Sequence, residues 1–210
     1  MPTVNQDGLN TLMSTANNNA QSLSDTLATG AKNMCDAIGS VWACPQAQKF
    51  AAEFQTKMNN VANNFRENMS AFQSNINTNT QRYNQQSQTS LAVPSVNYSD
   101  PTIDVSGIHA QLGDGSVGII EGANESVVNA LTNAITSMVS TVDTTKNGIS
   151  ASGAFDTDEA EAASGMYSKL GNILTTSSTE LEESVKRYIQ ETIEQYGTIK
   201  RTNINTSNEA

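Results

Sequence analysis

The chain has 210 residues, of which 37% are apolar, 5% aromatic and only 15% charged; 24 Asn, with many Gln, Ser and Thr, fill the difference. So little apolar content excludes a thick core and favours long helices that each bury one narrow stripe. The net charge of −10 lies wholly in residues 96–210, where sixteen acids face six bases, and this excludes a phosphate-tracking nucleic-acid surface.

No run approaches the roughly 18 apolar residues of a membrane span, so no stable membrane insertion is expected. The start, Met1-Pro2-Thr3-Val4-Asn5-Gln6-Asp7, has neither a basic region nor an apolar run. A cleavable secretory signal peptide is not expected.

The first periodic segment covers residues 9–38, with Leu9, Leu12, Ala16, Ala20, Leu23, Leu27, Ala31, Met34 and Ile38 at steps of three and four. That spacing predicts a helix with one apolar face. Asn17-Asn18-Asn19 and Gly30 weaken its propensity, so it needs a packing partner. Next comes a stretch holding both Cys and the only Trp: Cys35, Gly39, Trp42, Cys44 and Pro45. Gly39 suits a helix C-cap and Pro45 the first turn of the next helix, so residues 39–45 are predicted to bend the chain.

The second segment, residues 45–83, places Ala47, Phe50, Phe54, Met58, Val61, Phe65, Met69, Phe72, Ile76 and Tyr83 on one face. It carries four of the five Phe, a thick ridge for the Ala-rich groove of the first helix. Residues 1–84 are therefore predicted as one helical hairpin.

Residues 85–118 break the pattern with a polar run, Pro94, Pro101 and the turn pairs Asp100-Pro101 and Asp114-Gly115. This predicts an irregular connector with short extended pieces such as residues 102–105. A third segment starts near Ile119 or Ile120 and uses Ala123, Val127, Leu131, Ala134, Met138, Val142 and Ile149. A fourth, residues 157–196, uses Ala160, Ala163, Tyr167, Leu170, Leu174, Leu181, Val185, Ile189 and Tyr196, and its acidic start suits the helix dipole. Residues 119–197 are thus predicted as a second hairpin bending near 150–156, with Gly197 as C-cap and a flexible tail over 198–210.

The two hairpins align internally. An offset of 113 sets Trp42 on Phe155, Phe54 on Tyr167, Phe72 on Val185 and Tyr83 on Tyr196, and an offset of 111 sets Ala16 on Val127 and Leu27 on Met138. Any two amphipathic helices slide into some register, but an aromatic at both bends and a Tyr at both far ends favour duplication. The expected fold is all-α: two tandem antiparallel hairpins packed as an elongated four-helix bundle. Bends at opposite ends require a connector spanning a helix length, about 50 Å, which about 15 extended residues would cover.

From Trp42 to Phe54 the sequence reads Trp-Ala-Cys-Pro-Gln-Ala-Gln-Lys-Phe-Ala-Ala-Glu-Phe. This stretch resembles the WXG family of small helical hairpins exported by type VII secretion, which have a Trp-x-Gly bend followed by Ala and Phe. Cys44 stands at the family's Gly position, and Phe155-Asp156-Thr157 replaces the motif in the second copy. The resemblance covers residues 8–83 well and 119–196 weakly. It implies antiparallel four-helix assembly, here within one chain as a monomeric pseudo-dimer, and export without a cleavable signal peptide after a cytoplasmic stage. Family substrates end in a Tyr-x-x-x-Asp/Glu export signal. Tyr188 and Glu191 place the acid one residue early, so either the signal is degenerate, or a partner supplies it, or the protein is not exported. Longer relatives follow such a helical region with a toxin domain, for which these residues leave no room. The resemblance therefore implies a non-enzymatic substrate or adaptor that binds protein partners, either secretion machinery or a co-secreted helical protein. The alternative is a phage or cell-surface helical component unrelated to secretion.

Catalytic candidates are sparse. Gly113-Asp114-Gly115-Ser116-Val117-Gly118 matches G-x-G-x-x-G, but no strand and βαβ unit surround it, so no nucleotide cofactor is expected. Cys35 and Cys44 flank the bend closely enough for a disulfide in an oxidising destination, or they are two small buried thiols. His109, the sole His, lies far from both, so neither a metal site nor a Cys-His or Ser-His catalytic group is expected. Trp42 is either a partner-docking anchor or a hairpin-end packing residue, and packing is the favoured reading.

Overall fold

The computed structural model describes residues 4–150 and 157–208. Within them lie four helices: α1 (Gln6–Gly39), α2 (Pro45–Ser87), α3 (Asn124–Ser150) and α4 (Thr157–Asn208). The fold is all-α apart from two-residue strands β1 (Trp42–Ala43) and β2 (Gly118–Ile119), paired antiparallel with Trp42 opposite Ile119.

Local chemistry sets the helix ends. The Asn5 side chain accepts from Gly8 N at 2.7 Å and caps α1. Pro45 opens α2, as its fixed φ and missing N–H suit. At the end of α2, Gln88 takes a left-handed φ of 54° and Thr89 N bonds back to Asn84 O at 3.2 Å. That six-to-one closure is a Schellman cap with Gln in the usual Gly place. The Asn84 side chain reinforces it, accepting from Thr89 Oγ1 and Leu91 N.

All nine predicted stripe positions of α1 are buried, as are nine of the ten in α2. Tyr83, the tenth, is half-buried while Thr80 is buried. Three further expectations need correction. The helix expected from 119–120 begins at Asn124, because Gly118–Ile119 pairs with the bend and a turn from Ile120 O to Ala123 N, with Gly122 at φ +78°, intervenes. In α3, Ile135 is buried where Ala134 was expected, since its larger side chain fills the face. The tail expected at 198–210 is helical as far as Asn208: Gly197 continues α4, and without a left-handed turn a Gly costs a helix only about 1 kcal/mol. The second bend, with Phe155, falls outside the described residues.

The chain divides into two compact units. Unit 1 comprises Met1–Ala28, Asn59–Thr102 and Ser137–Thr175. Its core joins Leu12, Ala16, Leu23 and Leu27 of α1 to Phe65, Met69 and Phe72 of α2, with Met138 and Val142 of α3 and Tyr167, Leu170 and Leu174 of α4. The Tyr167 hydroxyl reaches Met69 Sδ at 3.3 Å, and burial pushes its pKa well above the usual phenol range.

Unit 2 comprises Thr29–Met58, Ile103–Thr136 and Thr176–Ala210. It contains the first bend, the start of α3 and the later part of α4. Its core includes Ile38, Trp42, Phe50, Phe54, Leu131, Ile135, Leu181 and Val185. Here Gly39 is demanded by a close approach: a Cβ at this position would lie 1.8 Å from Gly107 O. Gly107 in turn presses on the backbone of Asp36, 2.6 Å from where its own Cβ would stand. Gly39 thus ends α1 where a cap was expected, and it is also the seat of a crossing segment.

The connector is held in place by side chains. In unit 1, Gln6 pairs with both backbone groups of Ala92, at 2.8 and 3.0 Å. Gln73 of α2 donates to Pro94 O (3.3 Å) and accepts from Val96 N (2.6 Å). Asn17 of α1 donates to Ser95 O (3.4 Å) and accepts from Asn97 N (2.6 Å). Gln21 and Ser24 then take Ser99 N and O. From Pro94 to Asn97 the even-numbered residues thus turn to α2 and the odd-numbered ones to α1, the alternation of an extended backbone. Each amide offers one donor and one acceptor, as a neighbouring strand would. The extended pieces expected at residues 102–105 are not strands; the connector's strand pairing occurs at Gly118–Ile119.

Candidate interaction site at the first bend

Within unit 2 the bend is a dry cluster. Trp42 is fully buried, its ring centroid 6.0 Å from that of Phe50, which lies 6.2 Å from Phe54. Its Nε1 donates to Thr192 Oγ1 of α4 at 3.2 Å, and Cys44 Sγ lies 3.5 Å from the same hydroxyl. Thr192 also donates to Tyr188 O at 2.7 Å, so this one buried hydroxyl satisfies the indole N–H while tied to its own helix. Val41 O accepts from Ile120 N at 2.9 Å, binding the bend to the segment that leads into α3. Trp42 is a packing residue here, with no surface left to dock a partner.

Cys35 and Cys44 are free thiols in this structure and both are buried, the second of the two arrangements expected for them. Cys44 is turned to Thr192, and burial, reinforced by Asp36 and Asp104, pushes the Cys35 pKa up to about 12.

Tyr188 and Glu191 have separate surroundings. Tyr188 is half-buried: its hydroxyl donates to Glu53 Oε2 of α2 at 3.4 Å, and the Arg187 guanidinium lies 4.8 Å from its ring centroid. Glu53 also accepts from Ser184 Oγ at 2.6 Å and faces Arg187 at 3.6 Å. Glu191 is exposed. Four residues after Tyr188, where an export signal would carry an acid, stands Thr192, fully buried against Trp42. A carboxylate in this buried position would be desolvated. Thr192 was legible as an interior residue, three after Ile189 on the α4 stripe.

The Gly-rich segment forms a tight turn. Asp114 accepts from Ser116 N at 2.9 Å and from Ser116 Oγ at 2.6 Å, and these bonds hold its carboxyl below the usual range. Gly118 belongs to β2, so no helix N-terminus follows the motif directly. Among the described residues there is no cluster of three metal-binding side chains, and no helix long and apolar enough to cross a membrane.

Sequence periodicity did not reveal one feature of unit 2. A recess of about 370 Å³ opens between the start of α3 and the later part of α4, with Val128, Ile189 and Ile193 among its lining residues. A second, of about 330 Å³, adjoins it at Asn124 and Ile193 and includes Val117, Ile120 and Tyr196. Val117, Ile120 and Ile193 are 37%, 48% and 40% exposed and are the large apolar side chains that the described surface displays. Their clustering on the two adjoining recesses marks a surface suited to binding.

Comparison with family models, curated proteins and solved structures found no match to this chain.

Proposed function

We propose that this chain is a non-enzymatic substrate or adaptor of type VII secretion that works through helix-to-helix protein interaction. In this reading two tandem antiparallel hairpins stand in for the two subunits of a WXG-type dimer. The observation that carries the reading is the seat of Trp42. The bend that resembles the family's Trp-x-Gly turn is packed, within unit 2, against the later part of α4 and the segment entering α3. A hairpin whose bend meets the open end of a second hairpin is arranged as in an antiparallel pair. The Ala47, Phe50 and Phe54 face that follows the bend is buried, as the resemblance expects.

The test is export from a producing strain with and without the secretion ATPase. The expected result is extracellular protein in the parent and retention in the ATPase-deficient strain. Continued appearance outside the deficient cells, without lysis, rejects the reading.

A further inference from the structure

We propose that the recess between α3 and α4 is a docking groove for an extended, basic peptide segment of a partner protein. The first helix pair already holds such a segment. Between α1 and α2, Asn17 and Gln73 grip the backbone of residues 94–97 from either side. The duplication offsets carry Asn17 to Val128 and Gln73 to Lys186, and both of these line the recess. The groove filled by the connector in one helix pair therefore recurs as an open groove in the other. The adjoining recess extends it: Gln6, which binds Ala92, maps to Val117, and Tyr83 maps to Tyr196.

The groove's chemistry selects the occupant. Val128, Ile189 and Ile193 offer aliphatic surface, while Asn124 and Asn129 bring amides of the kind that bind connector backbone in unit 1. Glu125 lines the first recess and Glu121 the second. The one cation in the lining, Lys186, is paired with Glu182 at 2.5 Å. A segment with small apolar side chains and Lys or Arg at its flank satisfies both surface and charge. The inference rests on duplication of the hairpin and not on export, so a failed export test leaves it standing.

The test uses the full chain and two fluorescent peptides. Each has the sequence of residues 91–97, preceded by two lysines in one and two glutamates in the other. Fluorescence anisotropy is expected to show saturable binding of the lysine peptide, weakened about tenfold or more by Ile193→Glu, with the glutamate peptide several-fold weaker. Glu125→Lys, at an exposed position, is expected to reverse the peptide preference, and circular dichroism confirms that both variants stay helical. Gln73→Ala leaves binding unchanged if the peptide occupies this groove rather than displacing the connector. Absence of saturation by about 1 mM, or equal binding to the Ile193→Glu variant, overturns the proposal. So does a chain whose self-association is abolished by Ile193→Glu, since the groove's occupant is then a second copy.

Discussion

The first bend and the connector are both irregular segments fixed on helices, and they are fixed by opposite means. The bend is held by volume. Trp42, Phe50 and Phe54 fill a fully buried cluster, and a single buried hydroxyl, Thr192 Oγ1, answers the one polar atom of the indole. The connector is held by backbone hydrogen bonding. Residues 91–99 lie on half-buried Gln6, Asn17, Gln21, Gln73 and Asn84, whose amides take their N–H and C=O groups in turn. The difference shows how a chain with 37% apolar residues orders so much irregular backbone. Where apolar side chains are too few to cover a segment, amides on the helix faces satisfy its polar groups instead.

Removing volume at the bend should have the largest effect. Trp42→Ala leaves a cavity against Phe50 and removes the bond that the Thr192 hydroxyl accepts, and a loss of about 3–5 kcal/mol is expected in urea unfolding. Trp42→Phe, which keeps a ring but deletes the N–H donor, should lose less. If the alanine variant unfolds within about 1 kcal/mol of the parent, the bend is not fixed by packing and the contrast with the connector fails.

The connector should respond locally rather than globally. Asn17→Ala with Gln73→Ala deletes four side-chain bonds to backbone, each worth about 0.5–1.5 kcal/mol at most and partly replaced by water. A global loss of roughly 1–2 kcal/mol is expected. The sharper readout is hydrogen exchange: the Val96 and Asn97 amides should be protected in the parent and exchange about tenfold faster or more in the double variant. Trp42→Ala should not single out those two amides. Equal exchange in parent and double variant would mean that the amides do not hold this segment.

How much was legible follows from the same contrast. The stripes of α1 and α2 were readable because a buried helix face repeats every three to four residues, and polar neighbours make the repeat plain. The bend was readable from Pro45 and the lone Trp42. The grip on the connector was not, because Gln6, Asn17, Gln21 and Gln73 look like solvated helix surface until an extended backbone is laid on them. Gly39 shows the same limit. Its place near a helix end suggested a cap, while its cause is Gly107, a residue 68 positions away in the chain. Thr192 falls between these cases, lying on a readable stripe but with a partner 150 residues distant.

The smallest effect belongs to Cys35, and it is confined to alkaline solution. This thiol lies at the dry end of the contrast, buried near the end of α1, and its pKa rises from 9.0 to about 12. The unfolded chain therefore loses this proton at lower pH than the folded chain does. The contribution is fully present below about pH 9 and is lost as pH climbs toward 12. At neutral pH Cys35→Ala should show only its packing cost. At pH 10 the parent should have lost roughly 1 kcal/mol through this group, and the variant should lack that part of the slope. Alkylation by iodoacetamide gives a second readout: at pH 8 Cys35 should react at least about tenfold more slowly in the folded chain than in urea. Rapid labelling of folded Cys35 would place water at the bend and remove the dry side of the comparison.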